Sequence, residues 1–235
     1  DVKLYVDPRN PWSLRSIVLS PYYDKLQIST IRNANLKNYT FFDIGANFGT
    51  WTFSLADTFS QVISVEPEIR CYECLMRTKS DMCYQNIEIV HAGLSDQNGK
   101  GYFFPNLPHI GDGRIYSVGE REGTPVRLMS FDALASEYAV NRKNMFIKLD
   151  VQGVEPLVLQ GMEKSMKQAA DIILLTEIDN PVLVAAGSSK DGYLALLKEL
   201  GFVPVDILAD FRTVNWCVVE STLATQRDYC FRLSQ

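Results

Sequence analysis

Four acids, Asp43, Glu66, Asp150 and Glu177, each stand at the end of a short apolar run, and Lys148 comes two residues before Asp150. After the first acid the chain reads Asp43-x-Gly45-x-x-x-Gly49 and then passes into a segment with helical spacing. A glycine at such a turn lets backbone approach a ligand closely, and the helix start that follows favours a carboxylate. An acid two residues earlier can receive an ammonium through charged hydrogen bonds. Glu66 follows Gly45 by 21 residues at the end of the next run, where an acid can accept both ribose hydroxyls.

A dinucleotide fingerprint needs glycines at i, i+2 and i+5. Counted from Gly45, those places hold Asn47 and Thr50, so the fingerprint fails. The turn suits a ligand with an amino acid and a ribose but no pyrophosphate, and S-adenosylmethionine carries both groups. Each feature alone is equally served by a tight strand-to-helix turn and a solvated strand end. Their order along the chain points to the cofactor.

Those acids need a scaffold that brings strand ends together. From Thr40 onward, short β-rich runs alternate with helical segments: "TFFDI", "QVISVE", "NIEIVHA", "NMFIKLDVQGVE" and "DIILLTEID" are strands, with a helix expected near 68 to 82 and another in "VEPLVLQGMEKSM". This order predicts an α/β fold, a doubly wound, mostly parallel Rossmann-like sheet with helices on both faces. In such a sheet ligands bind beyond the carboxyl ends of the strands, where the strand order reverses. Asp43, Glu66, the residues after Ala92, Asp150 and Glu177 are therefore expected to line one crevice. Asn98-Gly99 reads as a hairpin turn inserted into the βα repeat, and residues 105–125, glycine-rich and without periodicity, as a lid or wall over the site. Ser130 is a candidate N-cap, and Pro156 is tolerable because it falls in a first helical turn. The runs 202–208, 213–220 and 228–233 are expected as antiparallel strands at the C-terminal edge. Residues 1–38 form a lead-in with a helix around "PYYDKLQISTIRNA", and 39–235 the catalytic domain.

A net charge of −5 and a pI near 5.1 give no basic field for a phosphate backbone, so nucleic acid is not the expected partner. Of the five cysteines only Cys71 and Cys74 stand at CxxC spacing, and without the second pair of a zinc site all are expected as reduced thiols. No apolar stretch approaches the ~20 residues of a membrane span, and no leader pattern opens the chain, so the expected location is cytoplasmic. The chain starts at Asp1 rather than Met, which suits a domain excised from a longer protein or associated with other domains.

"FFDIGANFGTWTFSLA", "VISVEPE", "HAGLSDQNGK", "MSFDALASEY", "FIKLDVQGVEPLVLQGM", "IILLTEI" and "LLKELGF" resemble, in order, the blocks of the FkbM-type S-adenosylmethionine-dependent methyltransferases, over about Tyr39 to Val205. The resemblance implies methyl transfer to an oxygen, commonly a hydroxyl of a sugar, glycan or related natural product. It implies that Asp43, Gly45, Ala46, Asn47, Gly49 and Glu66 hold the cofactor and that Gly93, Leu94, Ser95 and Asp96 lie near the adenine. It places Lys148, Asp150 and Glu155 in the signature around the transfer site, with Asp150 within reach of the cofactor. Two positions depart from the pattern. Gln152 stands where the family usually has Glu, and Asp179 where a His often follows the Glu of the fifth strand, so a histidine base is ruled out there.

A sugar hydroxyl is a poor nucleophile, so alignment must be joined by a base, a metal or both at the ends of the fourth and fifth strands. Asp150 is the first choice for base or orienter and Glu177 the second, with Lys148 placed to steady a developing alkoxide; an ion pair closing a strand is the plainer role for Lys148 and Asp150. His91 is expected inside the third strand as a sheet residue, and His109, in the glycine-rich loop, could swing over the acceptor. Asp150, Asp179 and Asn180 would suit magnesium. Pro181 makes a strand-stopping turn the simpler reading of Asp179-Asn180, so a divalent cation is not favoured and its ligands stay unknown. The competing functions are a nicotinamide-dependent oxidoreductase, which the glycine spacing opposes, and a non-catalytic cofactor-binding domain of a glycan-assembly protein.

Overall fold

The computed structural model describes residues 3–7, 23–104, 113–116, 123–222 and 228–234. The helical lead-in is present as α1 (Tyr23–Asn33). The main sheet then grows from β1 (Thr40–Ile44), β2 (Gln61–Val65) and β3 (Ile87–Val90), with α2 (Thr50–Leu55) and α3 (Ile69–Asp81) as the connections. Later come β8 (Asn144–Leu149), α5 (Glu155–Gln160), α6 (Glu163–Gln168) and β9 (Asp171–Glu177). Next are α7 (Asn180–Ala185), α8 (Lys190–Glu199), β10 (Val203–Asp206), β11 (Arg212–Thr213), α9 (Trp216–Thr222) and β12 (Asp228–Ser234).

The eight strands lie in the order β11-β10-β12-β9-β8-β1-β2-β3. The run from β9 to β3 is parallel, and β12 enters antiparallel beside β9. Strand order reverses between β1 and β8, which puts a crevice beyond Ile44 and Leu149, a register pair.

Alternate residues of these strands feed two different cores. Phe42, Ile44, Ile63, Ile147 and Leu174 belong to one apolar cluster, and Phe41, Val62, Phe146, Ile173 and Leu175 to the other. A sheet buried on both faces explains why its strands read as continuous apolar runs. The two-residue period also fixes where the charges go. Asp43 shares the parity of Phe41, Glu66 that of Val62, Lys148 and Asp150 that of Phe146, and Glu177 that of Leu175, so all point to one face.

Three local expectations differ from the structure. The inserted antiparallel structure is a four-stranded sheet, β4-β7-β5-β6, built from β4 (Gly93–Ser95), β5 (Gly99–Phe104), β6 (Arg114–Tyr116) and β7 (Thr124–Ser130). The turn at Asn98-Gly99 does not join neighbours, because β7 lies between β4 and β5 and pairs parallel with the first and antiparallel with the second. Asn98 instead sends its Oδ1 to the Ser130 N–H at 2.9 Å. The run 213–220 is mostly helical, not a strand: Asn215 Oδ1 accepts the Cys217 N–H at 3.0 Å and starts α9 despite the β-branched Val218 and Val219. His91 lies one residue beyond β3 and stacks on Tyr72 at 4.8 Å.

Ser130 does cap α4 (Phe131–Glu137) through the Ala133 N–H, and Pro156 sits in the first turn of α5. At the far end of the sheet Asp171 accepts from Nε and Nη2 of Arg232 at 2.8 Å, together with the Ser234 and Tyr39 hydroxyls, and so fastens β12 into place. Among the described residues no helix is long and apolar enough to cross a membrane.

Candidate active site

Beyond the reversal point lies a cavity of about 280 Å³. One side is made by Gly45, Ala46, Asn47 and Glu66, with Gly93 and Leu94; the other by Trp51, Lys148, Asp150, Gln152, Glu177 and Asp228. Phe103 of the inserted sheet and Gly113, just before β6, complete the wall. Gly113 belongs to the stretch expected to cover the site. Residues 105–112 and 117–122, His109 among them, lie outside the described residues.

The turn after β1 is built from left-handed residues: Gly45 at φ 82°, Asn47 at 53° and Gly49 at 84°. Glycine is required at Gly45, because a Cβ there would stand 2.0 Å from the Asp150 carbonyl oxygen. The tight approach joins the ends of β1 and β8. At Gly49 a Cβ would strike Phe53 and Leu75, so that glycine packs the turn and does not line the cavity.

Glu66 is buried, and its two oxygens are held separately. Oε2 accepts the Asn47 N–H at 2.7 Å and Oε1 the Glu68 N–H at 2.8 Å. Burial pushes its carboxyl up to about 7 against the pull of those two N–H groups, with the charges of Glu68 and Asp43 adding to the rise. Each oxygen of a carboxylate can accept a second donor. A buried acid in a cavity wall, fixed in direction and costly to ionise alone, fits a ligand that brings hydroxyls to it.

Asp43, expected to receive an ammonium directly, stands behind the wall instead. It is fully buried, and its Oδ2 accepts both the N–H and the hydroxyl of Thr52, at 2.9 and 2.6 Å. Its Oδ1 has no partner among the described residues. Burial raises its pKa, opposed by the charge of Lys148 and the Thr52 bonds. Ser95 and Asp96 also fall away from the cavity; the Ser95 hydroxyl donates to Asp96, and its carbonyl packs on Gly161.

On the opposite side Lys148 Nζ lies 3.1 Å from Asp150 Oδ2 and 5.9 Å from the centre of the Trp51 ring. Burial works against the lysine charge, but Asp150, Asp43 and Asp228 outweigh it and hold the ammonium ionised. Gln152 Nε2 donates to Asp150 Oδ1 at 3.0 Å and to Glu177 Oε2 at 3.3 Å. Burial, then the neighbouring charges of Asp150, Asp228, Glu155 and Asp179, raises Glu177 to about 8. Glu155 itself does not line the cavity. It turns back to accept the Val151 and Gly153 N–H groups and so braces the loop carrying Gln152; burial raises it to about 7.

Asp179 and Asn180 do not line the cavity, and Asn180 Oδ1 is committed to the Lys190 N–H at 3.0 Å. The three residues that would suit magnesium are thus not gathered, and among the described residues no group of three or more His, Cys, Asp or Glu could hold a metal. Asp228 was missed in the sequence because it begins a strand. β12 runs antiparallel, so its first residue meets Glu177, the last of β9, in register.

The profile of the Methyltransferase FkbM domain matches residues 43–204. No curated protein sequence matches. Among solved structures the chain is similar to the methyltransferase FkbM from Methylobacillus flagellatus KT, with 16% identity and a TM-score of 0.48 over 83% of this chain; it spans 43% of that protein's length. It is also similar to SMU.1697c from Streptococcus mutans in complex with SAH (12% identity, TM-score 0.49, 90% of this chain and 95% of that one). A SAM dependent methyltransferase from Aquifex aeolicus is 12% identical, with a TM-score of 0.44 over 96% of this chain and 91% of its own. The family match extends over more than half of the 235 residues and covers both sides of the cavity: the chain belongs to the FkbM methyltransferase domain family.

Proposed function

We propose that the protein transfers a methyl group from S-adenosylmethionine to a hydroxyl oxygen of a sugar, glycan or related small-molecule acceptor. The observation that carries this reading is the placement of Glu66, a buried and directed acid on one wall, across a single cavity from the Lys148, Asp150, Gln152 and Glu177 cluster. Glu66, Gly45, Ala46, Asn47, Gly93 and Leu94 would hold the nucleoside and amino acid parts, with Asp150 at the boundary with the acceptor. Bound there, the cofactor supplies an electrophilic methyl on a sulfonium, which leaves as a neutral thioether.

The protein's own share is alignment and proton removal. Asp150 is occupied by Lys148 and Gln152 and is suited to orient rather than to accept a proton. Glu177, raised to about 8 by burial and the surrounding acids, is the better base. Lys148, kept cationic beside Asp150, would steady the charge that an alkoxide gains.

The test has two arms. Calorimetry with S-adenosylhomocysteine should show binding, and labelled S-adenosylmethionine should pass its methyl to a hydroxyl in a panel of glycosides and glycans. Glu177→Gln should then lower turnover about 10²- to 10⁴-fold with donor affinity retained. Absence of donor binding would sink the reading, and tight binding without transfer to any acceptor would reduce the protein to a cofactor-binding domain.

A further inference from the structure

Gln152 adopts φ 58° and is followed by Gly153 at 103°. A non-glycine residue in the left-handed region costs about 1–2 kcal/mol, and here the buried Glu155 carboxylate compensates by holding the N–H groups on both sides of Gln152. The turn presents the amide to Asp150 and Glu177, which it reaches from one nitrogen. An NH₂ group has two hydrogens and can serve both carboxylates at once. A glutamate in this position would have none to give and would add a third acid.

We propose that Gln152 is a positioning residue: its amide ties Asp150 and Glu177 in the relative placement in which Glu177 takes the proton of the acceptor hydroxyl while Asp150 stays paired with Lys148. This rests on the methyl-transfer reading above. In that step the O–H bond breaks and its proton goes to a Glu177 oxygen. The acceptor oxygen bonds to the methyl carbon as the C–S bond breaks, and its electron pair stays on sulfur. Gln152 gives up no proton. The charged groups facing Glu177 are Asp150, Asp228, Glu155 and Asp179, with Lys148 beyond Asp150.

Carboxyl ¹³C NMR of labelled protein tests this without an acceptor, with signals assigned from Glu177→Gln and Asp150→Asn. Gln152→Gly removes the amide while relaxing the left-handed backbone, so the fold is retained. Both the Asp150 and Glu177 carboxyl signals should move at pH 9.5. Gln152→Glu should raise the Glu177 titration midpoint by about one pH unit, because a like charge is added. Movement of neither signal in Gln152→Gly, or of one alone, or an unchanged midpoint in Gln152→Glu, overturns the proposal. Wild type should bind S-adenosylhomocysteine. Failure of wild type to bind it would instead remove the donor reading, and the NMR signals would still decide whether Gln152 ties the two acids.

Discussion

Glu66→Gln is the substitution that probes the donor side most directly. The side chain keeps its shape, but its carboxylate is replaced by one acceptor oxygen and one NH₂. In the structure each oxygen meets a backbone N–H, from Asn47 at 2.7 Å and Glu68 at 2.8 Å, so the new NH₂ must face one of these donors. A buried N–H left without an acceptor costs about 1–3 kcal/mol of stability. Binding should suffer separately, because a hydrogen bond to a charged acceptor contributes about 1.5–3 kcal/mol, and losing one weakens the ligand about 10- to 150-fold. The pH dependence gives a second handle. Ribose hydroxyls stabilise the ionised form, so binding must displace the proton that Glu66 holds below about 7. Wild-type affinity for S-adenosylhomocysteine should therefore be level above pH 7 and about tenfold weaker at pH 6 than at pH 8. The variant should lack this slope. Isothermal titration at pH 6, 7 and 8 in two buffers of different ionisation heat reads both effects. Equal affinities of variant and wild type at pH 8, with no pH slope in either, would show that Glu66 only braces the loops of Asn47 and Glu68.

Without ligand, the raised carboxyls of Glu66, Glu155 and Glu177 favour their protonated forms, so stability should fall as pH climbs from about 4.5 to 8, visible as a lower Tm at pH 8 than at pH 5.5. Asp171 is depressed, burial being outweighed by Arg232, Tyr39 and Ser234, and its contribution is lost only below that window. Gly45→Ala should cost about 3 kcal/mol or more, from the left-handed φ and the clash with the Asp150 carbonyl, and a urea midpoint near that of wild type would contradict it. Glu155→Gln should destabilise by about 1–3 kcal/mol in the same assay, since its NH₂ must replace one carboxylate oxygen and both of them accept the Gly153 N–H. Arg232→Met leaves Asp171 buried with fewer donors and should lower stability by about 2–3 kcal/mol, read from denaturation.

The acids at strand ends were legible because apolar runs locate the ends of buried strands, and a parallel sheet gathers those ends. Glu66, Asp150 and Glu177 reached the cavity on that logic alone. Asp43 did not. It lies inside β1, one residue before the end, where the strand is enclosed by α2 and Thr52 takes its carboxylate. Ser95 and Asp96 were placed by resemblance, and they fall away because β4 turns aside to pair with β7. Asp228 had no local signal: its place depends on β12 inserting antiparallel beside β9, about 50 residues of chain later, a long-range pairing that no short window contains. The brace from Glu155 was hidden for a different reason. A carboxylate returning to N–H groups two and four residues earlier follows from the left-handed turn at Gln152 and Gly153, which the spacing does not reveal.

The two sides of the cavity are stabilised by opposite means, and that difference bears on how the site works. On the donor side, backbone N–H groups hold one acid, Glu66, in place, so its geometry is fixed by the fold itself. On the acceptor side, side chains hold each other: Lys148 to Asp150, Asp150 to Gln152 and Gln152 to Glu177. Such a chain of side-chain contacts couples the protonation of one member to the placement of the next. On the proposed reading a donor binds to a rigid frame, whereas Glu177, the proposed base, depends on its neighbours' state. Lys148 sets one end of that chain, while burial and the surrounding acids raise Glu177 at the other, so the proposed base is tuned by its surroundings and aimed by Gln152.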